Sequence, residues 1–362
     1  MMLDWYCENH KNLLNQRSII TGLLSFPMFL AAQQIPDTIS IPEFVITDTK
    51  VSVEAPYKKQ VLDSTLLSQY SISKLADVLQ NETPVFVKSY GSGSLSTLSI
   101  RGTGASHAQI YWNGISITSP ILGSNDFSLL PVSTFDEAEI HYGLSSLEDG
   151  SGGLGGAIQL NNIARWNNKL STTINIAGGS YGNYSGSGRI DLGNTKFQIQ
   201  SGFSITSAKN NFEYINIAVE GKSLETQENG ELTQYNFFQN IYFKPNQSNT
   251  FSLKYNYLNS DRNIPKLVTA KRSVQNLKDD SFRSLLEWSR IKSKSIVSAK
   301  VAYLYERLRY SDSLSSIFSH FEINSLRTQI KYKYDLSGWI IQSTLSESGE
   351  ARRRAAAPST TP

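Results

Sequence analysis

The chain has 362 residues, of which 39% are hydrophobic and only 18% are charged, and its formal net charge is +3. Low charge together with low hydrophobicity is unusual for a soluble enzyme of this length, and a basic excess this small gives no support for nucleic-acid binding. The one cysteine, Cys7, lies close to the amino terminus, which leaves the remaining chain without disulfides or cysteine-ligated metals.

Residues 1–32 have the pattern of a secretory signal peptide. Lys11 and Arg17 precede the apolar run IITGLLSFPMFL, and Ala31 and Ala32 follow it. A basic start, a short apolar core and small residues at the exit are the three regions of such a peptide. The run is too short, and too broken by proline, to cross a bilayer as a helix. A buried core helix is the alternative, and we expect export.

Residues 33–56 form an extended segment that contains IPDTISIPEFVITDTKVSVEAP. A β-prone segment between flexible flanks can add itself as a strand to the sheet edge of another protein. It can equally be an ordinary first strand of this chain. The residues by themselves do not choose between these two readings.

Residues 57–163 predict a compact domain with both helices and strands. Ser73 is placed to cap the short helix KLADVLQN, which the following Asn-Glu-Thr-Pro ends, and VFVKSY predicts a strand. Further strands are predicted by FDEAEIHYG and by the residues after the glycine-rich GSGGLGG.

The dipeptide Asn113-Gly114 predicts a tight hairpin inside this domain. Both central residues of a type I′ turn need φ > 0, and Asn-Gly between apolar runs is the strongest short-range signal for that turn. Ile110 leads into the turn, and Ile115 and Ile117 lead out of it.

From Lys169 onward the pattern changes to long strands in which apolar and polar residues alternate. LSTTINIA, KFQIQSGFSIT, FSLKYNY and LRTQIKYKY are four of about eight or nine such segments. Strands of about ten residues with one apolar face and aromatic residues toward the ends are typical of an outer-membrane barrel. A soluble β-sandwich is the alternative, but it needs tight turns every 8–12 residues, whereas residues 207–233 form a long polar loop.

Two glycine-rich motifs and four histidines do not predict catalysis. GGSYG around Ser180 matches a nucleophile elbow, but a strand rather than a helix follows it. GSGGLGG lacks the Lys-Ser/Thr ending of a phosphate-binding loop. The histidines have no metal-ligand spacing. We expect no catalytic residue, no metal, no cofactor and no enzymatic activity.

Five ordered motifs resemble a TonB-dependent outer-membrane receptor: EFVITDT, LADVLQNETPVFVKSYG, LSIRGTGASHAQIYWNGISI, DFSLLPVSTFDEAEIHYG and GSGGLGGAIQL. The resemblance covers residues 43–163 and implies an α+β plug domain followed by antiparallel transmembrane β-barrel strands of a barrel of about 22 strands. On this reading residues 57–163 are the plug, and residues 164–348 are the first part of an incomplete barrel.

The resemblance also implies the roles of individual residues. The segment that pairs by strand addition with TonB, the energy-transducing protein in the periplasm, is the TonB box Glu43, Phe44, Val45, Ile46 and Thr47. The residues that match the plug motifs are Arg101, Gly102, Asn113, Gly114, Glu139, Gly143, Gly152, Gly153, Gly155 and Gly156. Arg101 and Glu139 would be charges inside a water-filled lumen, and Asn113 stands where the family has Asp.

The compact plug and the stretch RGTGASH resemble the vitamin B12 receptor branch, which implies a cobalamin-like corrinoid as ligand. Ferric siderophores are the alternative ligand. Contacts to the ligand are expected from the plug segments 90–96 and 119–125 and from barrel loops.

The composition changes after Glu347, where SGEARRRAAAPSTTP replaces the alternating strand pattern. We expect residues 349–362 to be a non-native tail on a truncated or frame-shifted reading of a longer gene. A basic flexible tail on an intact protein is the other interpretation.

Two functions from different classes remain. One is a TonB-coupled uptake receptor in the outer membrane of a Gram-negative cell, and the other is a secreted β-rich binding or adhesion protein.

Overall fold

The computed structural model describes residues 58–91, 93–143, 153–218, 220–221, 223–336 and 339–355. A mixed α/β region lies within residues 58–163, and a large antiparallel sheet lies within residues 171–355. We call the first region the plug and the second the wall. None of the helices in these ranges is long and apolar enough to cross a membrane. The expected signal peptide, the expected TonB box and Gly152 lie outside the described residues.

The plug contains seven strands and two short α-helices within the described residues. Their bounds are β1 (Lys58–Leu62), α1 (Ser64–Gln69), α2 (Leu75–Glu82), β2 (Phe86–Ser89), β3 (Ser96–Ser99), β4 (Ala108–Trp112), β5 (Ile115–Ser116), β6 (Glu137–Tyr142) and β7 (Gly156–Asn161). Five of the strands form a sheet in the order β1-β6-β7-β4-β5, in which β4 and β7 are parallel and the other neighbours are antiparallel. The strands β2 and β3 pair separately as a hairpin.

The helix α2 begins one residue later than the sequence predicts. Lys74, not Ser73, is the N-cap residue, and the Asp77 carboxylate accepts a hydrogen bond from the Lys74 backbone N–H at 3.1 Å. A carboxylate in the first turn satisfies a backbone donor that the helix itself leaves unpaired. The predicted helix is therefore confirmed, but its predicted cap is wrong.

The hydrophobic core of the plug lies between its sheet and its helices. Ile110, Ile140 and Ile158 stand side by side on β4, β6 and β7, and each is 0% exposed. Leu75, Val78 and Leu79 of α2 belong to the same cluster. Full burial of one such side chain stabilises a fold by about 1.5–3 kcal/mol.

The wall is a nine-stranded antiparallel meander. Its strands, together with the short pair β11–β12, are β8 (Ser171–Gly179), β9 (Asn183–Gly193), β10 (Phe197–Ala208), β11 (Glu213–Ile215), β12 (Leu224–Thr226), β13 (Leu232–Phe243), β14 (Asn249–Ile264), β15 (Gln275–Lys292), β16 (Ser295–Asp312), β17 (Ile317–Leu336) and β18 (Trp339–Ala355). The order is β8-β9-β10-β13-β14-β15-β16-β17-β18. Among the described residues β8 and β18 do not pair with each other, so the barrel is incomplete, as expected.

Short turns and longer connections lie at opposite ends of the wall. The end that we call the turn end has residues 194–196, 244–248 and 293–294. The opposite end, which we call the loop end, has residues 180–182, 209–231, 265–274 and 313–316. The motif around Ser180 lies in the β8–β9 turn, where Tyr181 and Gly182 have φ of 59° and 63°. A strand follows it, as the sequence predicts.

The predicted alternation of the wall strands is confirmed for the apolar outer face, whereas the inner face carries most of the polar residues together with buried apolar ones such as Leu258, Leu285 and Ala302. On β14 the side chains of Lys254 and Asn256 are buried against the plug side, whereas Phe251 and Tyr257 are exposed on the outer face. The outer face carries further exposed apolar side chains on every strand, including Ile174, Ile176, Leu192, Phe203, Phe237, Leu286, Val301, Leu326, Ile330, Ile341 and Leu345.

Close to the loop end the outer face becomes charged. Lys278 pairs with Asp261 at 2.6 Å, and Arg307 pairs with Asp280 at 2.8 Å. The apolar part of the outer face is thus a band between these ion pairs and the turn end.

The last described strand passes the position where the composition changes. The strand β18 pairs with β17 as far as Ala355, which lies opposite His320. Residues 349–355 of the predicted tail therefore lie on a paired strand.

Candidate functional site

The plug and the wall meet in an interface that we call the seam, and the predicted Asn-Gly hairpin lies in it. Asn113 and Gly114 have φ of 49° and 79°, which is the conformation that a type I′ turn requires. Trp112 pairs with Ile115 across the turn. The predicted hairpin is confirmed, and β4 and β5 are its strands.

Asn113 and Asn162 exchange side-chain hydrogen bonds that hold the turn against the end of β7. The Asn113 Nδ2 group donates to Asn162 Oδ1 at 3.0 Å, and the Asn162 backbone N–H donates to Asn113 Oδ1 at 3.0 Å. The Trp112 Nε1–H group donates to the same Asn162 oxygen at 3.0 Å. An aspartate at 113 lacks the amide donor, so this pairing uses the asparagine that departs from the family pattern.

Two lysines of the wall hold the turn from the other side. Lys254 on β14 donates to Asn113 Oδ1 at 2.8 Å, and Lys300 on β16 donates to the Asn113 carbonyl oxygen at 2.7 Å. Glu287 on β15 lies 3.3 Å from both ammonium groups. We call Lys254, Glu287 and Lys300 the hairpin clamp.

The strand β17 extends this contact along the hairpin. Arg327 donates to the backbone carbonyl of Ser116, and Gln329 donates to that of Gly114 at 3.5 Å. A side chain at position 114 would place its Cβ 3.0 Å from the Lys300 ammonium group, in addition to the positive φ. Glycine at this position therefore serves both the turn and the close approach of the wall.

A second set of contacts surrounds Asp136, whose side chain is 1% exposed. Its carboxylate accepts from the Ile163 backbone N–H at 2.8 Å and from Arg165 at 3.2 Å, and it lies 2.8 Å from Arg189 of β9. Arg189 also pairs with Asp191. We call Asp136, Arg165, Arg189 and Asp191 the anchor.

A third buried ion pair joins the plug to β14. Arg262 contacts Asp126 of the plug at 2.8 Å and Asp279 of β15 at 2.6 Å. The Asp126 carboxylate also accepts from the Ser96 backbone N–H at 3.0 Å. Buried charges require such partners, because an uncompensated one costs several kcal/mol.

The remaining plug-motif residues lie at the end of the plug sheet opposite the hairpin. The loop with Arg101 (φ 54°) and Gly102 (φ 74°) packs on Gly143, where an added Cβ would lie 2.7 Å from the Arg101 guanidinium. At Gly155 and Gly156 an added Cβ would lie 2.1 Å from the Thr103 hydroxyl and 2.2 Å from the His141 carbonyl oxygen, respectively. Gly153 is buried nearby in sequence. These glycines permit close packing of the loop.

Arg101 is exposed and forms no ion pair with any residue in the described part of the chain. Glu139 pairs inside the plug, with Lys59 at 2.6 Å and with His141 at 3.2 Å. Burial by itself raises the pKa of Glu139, but the hydrogen bonds from His141 and Lys59 outweigh it and hold the pKa at about 2. The charges that reach the wall in the described residues are thus different ones, at Asp126 and Asp136.

Several cavities lie along the seam, and two of them are lined by residues of the predicted site. One, of about 660 Å³, is lined by the hairpin turn, by Glu139 and Gln159 of the plug sheet, and by Lys254 and Lys300 of the wall. The other, of about 600 Å³, lies toward the loop end and is lined by Gly91 and Gly93 of the plug segment 90–96, with Lys74 and Asp77.

The sequence identified the hairpin but did not identify its partners. Lys254 was assigned to the polar face of its strand, which is where it lies. Its contact with Asn113 joins residues 141 positions apart, and no local pattern encodes that pairing. Asp136 lies within the segment FDEAEIHYG, which predicts a strand, and nothing in that pattern marks it as a contact with the wall.

Comparisons with known proteins agree with this architecture. Residues 52–157 match the family model described as TonB-dependent Receptor Plug Domain. A stretch of 151 residues is 27% identical to the vitamin B12 transporter BtuB of Photobacterium profundum, and it covers 40% of this chain and 25% of that protein.

Solved structures share the fold at low sequence identity. The copper transporter OprC superposes with a TM-score of 0.69 at 15% identity, over 84% of this chain and 48% of OprC. The ferripyoverdine receptor of the outer membrane of Pseudomonas aeruginosa superposes with a TM-score of 0.65 at 12% identity, over 83% of this chain and 43% of the receptor. This chain spans a quarter of the curated relative and about half of each solved receptor. Residues 52–157 therefore carry a TonB-dependent receptor plug domain, and the plug with the strands of the incomplete barrel that follow it has the fold of these solved proteins.

Proposed function

We propose that the chain acts in the outer membrane as a receptor that takes up a scarce nutrient, with uptake driven by TonB in the periplasm. The observation that carries this proposal is the polar seam, in which a folded plug lies against the inner face of a wall whose outer face is apolar. Hydrogen bonds and ion pairs in such a seam can be exchanged for water when a solute passes, which apolar packing does not allow.

The outer face supports the membrane location. A sheet with an apolar band on one face and buried polar groups on the other suits a bilayer outside and an aqueous lumen inside. Mild salt should leave the protein in the outer-membrane fraction. Release into the supernatant would instead favour the secreted binding or adhesion protein.

We assign the TonB box to Glu43, Phe44, Val45, Ile46 and Thr47, just ahead of β1. The sequence predicts a β-prone segment there, which can add as a strand to TonB, and a proline within it removes a donor that the added strand needs.

For the ligand we propose a cobalamin-like corrinoid, because one of the relatives that match in sequence is a vitamin B12 transporter. The cavity of about 600 Å³ beside residues 90–96 offers a polar surface near the loop end for such a molecule. A ferric siderophore is the second candidate, since the ferripyoverdine receptor has the same fold.

The test is uptake of radiolabelled cyanocobalamin by cells that produce the protein, with Val45→Pro as the variant and Val53→Pro as the control outside the box. We expect Val45→Pro to abolish uptake and to keep binding at the cell surface, and Val53→Pro to keep both. Uptake retained by Val45→Pro would overturn the box assignment. Binding of a ferric siderophore in place of cyanocobalamin would replace the corrinoid and leave the receptor function standing.

A further inference from the structure

Two of the attachments between plug and wall differ in kind, and the Arg262–Asp126 ion pair is a third. At the anchor, Asp136 binds the backbone N–H of Ile163 and two arginines, and the chain itself continues from β7 into β8. Gln198 and Gln200 of β10 bind the backbone of the same connection, at 2.6 Å and 2.8 Å. This side is held by covalent continuity as well as by buried polar contacts.

At the hairpin clamp the attachment is made by the tips of long side chains. Lys254, Lys300 and Arg327 donate to one amide oxygen and two backbone carbonyls of the hairpin. The strand β5 has two residues and lies at the edge of the plug sheet. Nothing covalent joins the hairpin directly to β14–β17, although Ile115 and Ile117 share a buried apolar cluster with Leu285, Ala302 and Leu304 of β15 and β16. Displacing the hairpin therefore breaks side-chain hydrogen bonds and apolar contacts, but no covalent link.

The larger of the two cavities lies directly beside this non-covalent attachment. Asn113 and Gly114 form part of its lining, together with Lys254 and Lys300. When the hairpin moves away from β14–β17, the cavity widens and Lys254, Lys300 and Arg327 each lose an oxygen acceptor of the hairpin, while Lys254 and Lys300 keep Glu287 between them. A buried charged donor with an unfilled hydrogen bond favours another acceptor.

We propose that the plug pivots on the anchor and opens at the hairpin clamp, and that the cavity there is an inner transit site for the solute. The site takes solutes rich in oxygen acceptors, such as amide carbonyls, carboxylates or phosphates, which replace the hairpin carbonyls on Lys254, Lys300 and Arg327. The transit site rests on the proposed transport function, whereas the direction of opening rests on the seam contacts.

The direction of opening is tested by thiol labelling in isolated outer membranes, where no energy source is present. The parent carries Gln159→Cys in the cavity lining and Cys7→Ser, and N-ethylmaleimide is the reagent. The clamp variant combines Lys254→Met, Glu287→Gln and Lys300→Met. It removes all three charges together, so that none of the three is left buried without a partner. Lys300→Arg keeps the donor, Asp136→Asn weakens the anchor, and Lys278→Met removes an ion pair on the outer face.

We expect the clamp variant to be labelled about tenfold faster than the parent or more, because each hydrogen bond to a charged group contributes about 1.5–3 kcal/mol. Lys300→Arg, Asp136→Asn and Lys278→Met should stay within about twofold of the parent, since the first retains a donor and the others leave the clamp intact. If the clamp variant is labelled at the rate of the parent, or if Asp136→Asn raises the labelling rate as much as the clamp variant does, the proposed pivot on the anchor is wrong.

The transit site is tested separately by uptake of radiolabelled cyanocobalamin. If the clamp residues only hold the plug closed, the clamp variant takes up the probe at least as fast as the wild type. If they also bind the solute, its maximal uptake rate falls although the plug opens more readily, and binding in de-energised cells is unchanged. Lys300→Arg should restore most of the rate that Lys300→Met loses. An undiminished rate in the clamp variant overturns the site, whereas a wild type that takes up no probe contradicts the proposed corrinoid ligand and leaves the labelling result intact.

Discussion

The plug and the wall use the same β-strand alternation in opposite directions. In the plug, Ile110, Ile140 and Ile158 point into a dry core. In the wall, Lys254 and Asn256 are the buried residues, while Phe251 is exposed. Period-2 patterning determines which residues share a face, but the surroundings determine which face is buried.

This difference in which face is buried explains why polar contacts make up much of the interface between plug and wall. The plug buries most of its apolar residues within itself, and the wall presents most of its own outward, apart from inner ones such as Leu285, Ala302 and Leu304. Much of their common interface is therefore made by polar groups such as Asp136 and Arg262, each of which needs a partner once water is excluded. Hydrophobic burial stabilises the plug, whereas hydrogen bonds and ion pairs position it.

The largest expected effect is a loss of stability in the plug core. Ile158→Ala removes a 0%-exposed side chain between Ile110 and Ile140, and we expect the free energy of unfolding to fall by about 2–5 kcal/mol. Ile176→Ala on the outer face of β8, where the side chain is 85% exposed, should change it by less than about 0.5 kcal/mol. Urea unfolding followed by tryptophan fluorescence measures both, and equal losses would contradict the contrast between the two regions.

The second-largest expected effect comes from a charge placed in the apolar band on the outer face. Val301→Arg places a charge in the band, and we expect a cost of about 2–4 kcal/mol in lipid. His320→Arg also points outward, but it lies near the loop end beside Glu322, where the expected cost is about 0–1 kcal/mol. Unfolding in lipid vesicles distinguishes them. A similar cost at both positions would mean that the band does not end where the charged residues begin.

The sequence predicts the strands of the wall and the hairpin of the plug, because strand alternation and the Asn-Gly turn are both local patterns. Alternation over residues 251–257 predicts the strand and its two faces, and Asn113-Gly114 predicts the turn through its backbone requirement. The seam is different. The partners of Asp136 come from Arg165 and Arg189, and Lys254 reaches Asn113 across 141 positions. Periodicity assigns a residue to a face, but it does not determine the height at which the plug lies against the wall.

A smaller effect is expected from a single polar contact in the seam. The Thr134 hydroxyl donates to Asn236 Oδ1 of β13 at 2.9 Å. Thr134→Val keeps the shape and leaves that oxygen without its donor, so we expect a loss of about 1–3 kcal/mol. Adding Asn236→Leu should recover part of the loss, because removing both partners leaves fewer unpaired groups. If the double variant loses as much free energy of unfolding as the two single variants lose together, Thr134 and Asn236 do not stabilise the protein through their mutual contact.

The most gradual expected effect is the pH dependence that comes from Glu139. Its pKa in the folded plug is about 2, against 4.5 for an unperturbed glutamate, so the unfolded chain binds the proton more tightly. The stabilisation is complete above pH 4.5 and is lost as the pH falls toward 2, with a slope of at most about 1.4 kcal/mol per pH unit. Glu137, beside it on β6, has a pKa that burial raises, and its contribution to stability therefore has the opposite sign.

The test compares urea unfolding of the wild type and Glu139→Gln between pH 6 and pH 3, with Glu213→Gln in the exposed strand β11 as the control. The stability difference between wild type and Glu139→Gln should shrink below pH 4.5, and a difference that stays constant with pH would mean that Lys59 and His141 do not hold the Glu139 carboxylate ionised.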